Sequence, residues 1–155
     1  KATSRGRISR RRWRSEVALG AETAKALAEA RCRDATLLLQ NEAYSSAYYL
    51  AGYAVELALK VLIAKQFVAD VIPDKQFVLG VHSHKLAELL KLAGLQTAFD
   101  ESATGLPALQ ANWLTVTQWS EASRYVIVEE YQAVELISAI TDPDTGVFQW
   151  LKSHW

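Results

Sequence analysis

A stripe of polar side chains runs through the most apolar segment of the chain, residues 43–66. Tyr53, Glu56 and Lys60 are spaced by three and four residues, so on a helix they share one face. Glu56 precedes Lys60 in the order that favours an ion pair at this spacing. Because a lone carboxylate in apolar surroundings is costly, we expect Glu56 to have a second cationic or hydrogen-bonding partner, for which Arg124 is the candidate.

This polar cluster has three interpretations. It could meet a ligand such as a nucleotide, or it could fix the packing of the helices, the role that we favour for Arg124. A third possibility is that Glu56 and Lys60 form only a half-exposed surface pair, which would contribute little to stability.

A His-x-His pair is the second pattern that could do chemistry. His82 and His84 would need a third ligand, such as Glu88 or Asp74, to hold a metal ion. We expect no metal site, and we expect His84 with Ser83 to begin a helix. The sequence also has no Walker-type loop, no Gly-x-Ser-x-Gly and no Cys-x-x-Cys, so no cofactor is predicted.

The N-terminus carries a third pattern, a basic run. Seven of the first fourteen residues are Lys or Arg and none is acidic, whereas the rest of the chain has ten basic and seventeen acidic residues. Arg10, Arg11, Arg12 and Arg14 are a candidate nucleic-acid arm, because cations release counterions from phosphates and Trp13 could stack on a base. The same composition is typical of flexible tails and of vector-derived leaders, so both interpretations stay open.

Length and composition indicate one domain. The chain has 155 residues, of which 50% are apolar, enough for a single core. We expect a basic, flexible segment over 1–20 and a helical bundle over 21–155. The only cysteine, Cys32, excludes an intrachain disulfide and fits a reducing compartment. No apolar signal region follows the basic run, and Glu56 and Lys60 interrupt the longest apolar stretch, so we expect a cytoplasmic protein with no membrane span.

Apolar residues recur at spacings near three and four in five blocks, which predicts an all-α fold of about five helices. Glycine, proline and polar residues fill the connections, with an extended piece expected at 76–81, and a short aromatic segment at 147–155 is expected to dock on the body. Four Trp after residue 112 suggest an aromatic cluster in the core or, alternatively, a dimer interface. The five blocks are 21–41, 43–66, 84–94, 106–119 and 120–140.

Three patches, "AYSSAYYLAGYAVELALKVLIAK", "HSHKLAELL" and "SRYVIVEEY", resemble in content and order the HEPN domain, the higher eukaryote and prokaryote nucleotide-binding domain. The resemblance covers roughly 21–140. It implies an up-and-down helical bundle, commonly a dimer. It also implies one of two functions: a metal-independent ribonuclease, or a compact partner of a minimal nucleotidyltransferase in a toxin-antitoxin or nucleotide-handling system.

The chain departs from the ribonuclease motif of that family, which is an Arg followed after four to six residues by a His. Arg124 resembles the motif Arg, but Glu129, Glu130 and Tyr131 occupy the positions where the His would fall. Proton transfer at RNA needs an imidazole, and carboxylates repel phosphates. We therefore expect a non-catalytic HEPN-type module, a homodimer or a nucleotidyltransferase partner, that could bind nucleotide or RNA. The alternatives are a ribonuclease with an altered active site and an interaction protein with no link to nucleotides.

Overall fold

The computed structural model describes residues 19–155. Arg10, Arg11, Arg12 and Arg14, the candidate nucleic-acid arm, lie outside the described residues. Within the described range the chain forms eight α-helices and one short 3-10 helix, without a strand, so the all-α prediction is confirmed although the helices are more numerous than expected.

The helices follow one another with short connections. In chain order they are α1 (Ala21–Gln40), α2 (Tyr44–Ala64), α3 (Lys75–Val81), α4 (Leu86–Leu92), α5 (Gln96–Gly105), α6 (Pro107–Val116), the 3-10 helix (Glu121–Tyr125), α7 (Glu130–Thr141) and α8 (Val147–Lys152).

Helix α2 is the centre of the molecule, as its apolar circumference predicts. It contacts α1 most extensively, and α4, α7, α8 and the 3-10 helix also pack against it. A connection of three residues makes α1 and α2 antiparallel neighbours. The buried residues of α1 are Ala24, Ala28 and Ala35, whose small side chains allow the two helices to approach closely.

By length and composition alone, α2 is long and apolar enough to cross a membrane. In the structure, however, 67% of its most apolar window is buried against the rest of the chain. A buried core helix meets the same length and composition criteria, and the central position of α2 among the other helices accounts for its burial.

Two helices form where the sequence suggested connections. Helix α3 replaces the extended piece expected at 76–81, because the Asp74 carboxylate accepts hydrogen bonds from the backbone N–H groups of Gln76 and Phe77 and so caps the helix. Helix α5 is mostly polar, but it buries Phe99 and Ala103, one turn apart. The cap stabilises α3 and the single buried turn stabilises α5, although the apolar pattern of both segments is too weak to predict a helix.

The block 120–140, expected to be one helix, is divided in the structure. The 3-10 helix ends at Tyr125, and Val126 is extended, with φ −119° and ψ 139°. Its β-branched neighbours favour this conformation. Helix α7 then begins with a capping box between Glu129 and Gln132.

The C-terminal segment docks on the body as expected, because Val147, Phe148 and Leu151 of α8 are buried. The tryptophans do not form a single cluster. The rings of Trp113 and Trp150 lie 5.3 and 5.2 Å from that of Phe99, centroid to centroid.

Trp119 packs elsewhere, against the central helix. It is 3% exposed and lies directly over Gly52 of α2. A Cβ atom at Gly52 would come closer than 3.0 Å to ring atoms of Trp119, so only glycine leaves room for the indole here.

Candidate functional site

The carboxylate of Glu56 is the centre of a buried polar cluster on α2. Glu56 is 1% exposed. Its Oε1 accepts a hydrogen bond from Lys60 Nζ at 2.7 Å, and His84 Nδ1 lies 3.0 Å from both Oε1 and Oε2. The predicted pair with Lys60 and the predicted second partner are therefore confirmed, but that partner is His84.

The pairing of Glu56 with Arg124 was wrong. Arg124 is exposed, and its guanidinium lies over the ring of Tyr125 at 5.1 Å. A 3-10 helix turns through three residues, so Ser123 faces the core while Arg124, the next residue, faces outward. Tyr53 stays on the face of Glu56, half-buried, with its ring stacked on another tyrosine of α2.

The turn before α4 places His84 next to the Glu56 carboxylate. Ser83 Oγ accepts a hydrogen bond from the Lys85 N–H at 3.2 Å and donates one to Glu88 at 2.8 Å. Helix α4 then begins at Leu86, later than expected, with Lys85 as its N-cap. His84 therefore precedes the helix, and its imidazole is free to reach α2.

The contact with Glu56 fixes the tautomer of His84. Because Nδ1 faces two carboxylate oxygens, it carries the proton and donates it, so that in the neutral ring Nε2 keeps its lone pair. Within residues 19–155 no group hydrogen-bonds to Nε2. Carboxylates orient histidines in this way at sites where the imidazole acts as a base or as a metal ligand.

Nε2 belongs to a half-exposed side chain at the edge of a cleft. The His84 side chain is 46% exposed. The cleft, of about 370 Å³, lies between the start of α4, residues 84–88, and residues 117–121, which include Trp119. Its volume lies within the range of small-molecule sites.

His82 and His84 have no third ligand beside them in the described part of the chain. Across residues 19–155, no three His, Cys, Asp or Glu side chains come together in a way that could hold an ion. His84 is engaged by Glu56, and Glu88 is engaged by Ser83 and Lys85.

A second feature is an apolar surface, which we call the Tyr125–Val134 surface. Tyr125 is 81% exposed, Ile127 is 86% exposed and Tyr131 is 69% exposed. Val126 and Val134 complete the surface.

Val128 turns inward beneath this surface and anchors it. Its side chain is buried, and its backbone N–H donates a 2.9 Å hydrogen bond to Ser45 Oγ of α2. Beside it, Tyr48 and Tyr131 line a cleft of about 340 Å³ with Glu135. Burial, and then the charge of Glu135, raises the pKa of the Tyr48 hydroxyl.

Comparisons of the chain with protein-family models, with curated proteins and with solved structures found no match. Sequence reasoning found Glu56 and Lys60 but did not connect His84 with Glu56, because the two residues are 28 positions apart and only tertiary packing brings them together.

Proposed function

We propose that this protein is a HEPN-type helical module that works in the cytoplasm as a homodimer, through the Tyr125–Val134 surface, and that does not cleave RNA at Arg124. The HEPN-type part of the proposal is supported by the sequence resemblance, and the observation that carries the dimer is this exposed apolar surface, which has charges of both signs beside it. The buried cluster at Glu56 would then hold the helices that present the surface.

The surface has the character of an interface. Tyr125, Val126 and Ile127 are three consecutive large apolar residues, each more than half exposed. Runs of this kind are disfavoured on a surface unless they serve a function. Extended backbone with β-branched side chains is also a template for pairing with a second strand-like segment.

The charges beside the surface favour a second copy of the chain as the partner. In the chain, Arg124 directly precedes the exposed run 125–127, and Glu129 and Glu130 follow it before Tyr131. Among the described residues, none of these three takes part in an ion pair. A two-fold axis through Ile127 would bring Arg124 of one copy opposite Glu130 of the other, as an isologous interface requires.

The same residues argue against ribonuclease chemistry at this position. The Glu129 side chain caps α7, and Tyr131 has no imidazole that could transfer a proton. Arg124 stacks on Tyr125 and faces solvent. Exposed carboxylates here would repel an RNA backbone, whereas they would complement an arginine of a second copy.

The test is the oligomeric state of the full chain, measured by light scattering and sedimentation over a concentration series. We expect a dimer that Ile127→Glu converts to a monomer, because the change places a charge in the interface. Ile72→Glu is the matched control, since Ile72 is 94% exposed outside this surface, and it should stay dimeric. Arg124→Glu should weaken the dimer, and adding Glu130→Arg should restore it.

A wild-type chain that is monomeric at every concentration would refute the homodimer. The surface would then suit a different protein, of which a minimal nucleotidyltransferase is the alternative. Incubation with end-labelled RNA in EDTA, with and without residues 1–14, tests the remaining alternative. We expect intact RNA, and cleavage that disappears in Arg124→Ala would establish a ribonuclease with an altered site.

A further inference from the structure

We propose that His84 is a general base that hydrolyses small uncharged esters bound in the cleft beside it, with Glu56 as its positioning residue. The inference goes beyond the dimer proposal and uses another part of the molecule. It depends on the 3.0 Å contacts between His84 Nδ1 and the Glu56 carboxylate, and on the exposure of the same ring to the cleft.

Packing alone does not explain this cluster. An apolar side chain in place of Glu56 would avoid burying a charge, and such replacements are often neutral or stabilising. Lys60 compensates the charge of Glu56, while His84 receives an orientation that a structural role would not need. With Nδ1 held by Glu56, Nε2 is the ring nitrogen left to accept a proton, and His84 is one of the residues that line the cleft.

The charges around the cleft favour an uncharged substrate. Glu56 is compensated by Lys60, and Lys85 pairs with Glu88 at 3.2 Å. Glu121 has no ion-pair partner within residues 19–155, so the cleft is slightly acidic. Phosphodiesters and other anions would be repelled, whereas a neutral acyl ester would not.

The reaction needs only water as the second reactant. Nε2 accepts a proton from a water molecule while the water oxygen bonds to the ester carbonyl carbon. The tetrahedral intermediate then breaks its bond to the alcohol oxygen, and the imidazolium returns the proton to that leaving oxygen. The hydroxyl of Ser120 and the second amide N–H of Gln118 line the cleft and can donate to the carbonyl oxygen, whereas the Thr117 hydroxyl already donates to the Leu114 carbonyl.

The test uses the full chain with p-nitrophenyl acetate as the neutral ester and bis(p-nitrophenyl) phosphate as the anionic one. We expect hydrolysis of the acetate only. His84→Gln should lower kcat/KM by about 100-fold, the scale of general-base catalysis. His82→Gln removes an exposed histidine two residues away and should leave the rate unchanged, which controls for adventitious surface imidazoles.

Two further variants separate catalysis from folding. Glu56→Gln should lower kcat by about ten-fold with KM unchanged, because the amide no longer fixes the tautomer. In His84→Gly, added imidazole should restore part of the rate, which a structural defect would not allow. Equal rates in wild type and His84→Gln, an equal loss in His82→Gln, or hydrolysis of the phosphodiester at the rate of the acetate would each overturn the proposal. None of these results bears on the dimer, which Ile127→Glu tests.

Discussion

Replacing Gly52 by alanine tests how tightly the central helix is packed. An alanine Cβ would come closer than 3.0 Å to three atoms of the Trp119 ring, whereas ordinary contacts begin at 3.4 Å. The neighbour is a ring that is itself 3% exposed, not the end of a flexible chain. The indole must therefore leave its place over α2.

The expected cost follows from two opposing effects. Displacing a buried aromatic side chain costs about 3 to 5 kcal/mol, on the scale of large-to-small substitutions in cores. Alanine in place of glycine inside a helix returns about 1 kcal/mol. We therefore expect Gly52→Ala to lower the free energy of unfolding by about 2 to 4 kcal/mol, despite the better helix propensity of alanine.

Urea unfolding followed by circular dichroism and tryptophan fluorescence measures this loss. Gly105→Ala is the matched control, because nothing lies within 4 Å of its Cβ position, and it should not destabilise the chain. Trp119→Leu should lower the free energy of unfolding less in the Gly52→Ala variant than in the wild type, because the two side chains compete for one space. A Gly52→Ala variant as stable as the wild type would refute this account of the packing.

Three further predictions concern single hydrogen bonds and protons. Ser45→Ala should cost about 1 to 3 kcal/mol, because the backbone N–H of Val128 loses its acceptor. Burial raises the pKa of Tyr48, so the folded chain keeps a proton that the unfolded chain releases, and stability should fall above about pH 10, less so in Tyr48→Phe. Hydrogen bonds from Thr145 lower the pKa of Asp142, so its contribution should be lost as pH falls below about 4, and Asp142→Asn should flatten that loss.

Urea midpoints across pH measure all three effects. A Ser45→Ala variant within about 0.5 kcal/mol of the wild type would mean that water satisfies the N–H of Val128 equally well. Parallel alkaline curves for Tyr48→Phe and wild type would contradict the second prediction. Acid curves of Asp142→Asn and wild type that coincide would contradict the third.

The fold was predictable where apolar residues repeat along a long helix. Helices α1 and α2 are of this kind, and α2 is central because it is apolar nearly all round. Helix α5 was missed because it buries only Phe99 and Ala103, too few positions to define a period. The break at Val126 was missed because helical spacing on both sides suggested continuity, although the local β-branched residues favoured extended backbone.

The site was predictable up to the point where tertiary packing decides. The need of Glu56 for partners follows from burial alone, and Lys60 follows from helical spacing. His84 lies 28 residues away, and only the packing of α4 on α2 selects it. Arg124 also belongs to an element that packs on α2. Its side chain faces outward, whereas that of its neighbour Ser123 faces the core, and the spacing of the sequence did not reveal which of the two would be buried.

The buried carboxylate also has a consequence during synthesis. His84 is translated after α2, so Glu56 and Lys60 leave the ribosome as a pair in a helix of 21 apolar-rich residues. A charged residue near the middle of such a helix costs about 2.5 to 3.5 kcal/mol at the translocon, whereas Lys60, nearer the end, can reach the lipid head groups. The charge of Glu56 therefore raises the free energy of inserting α2 into a bilayer.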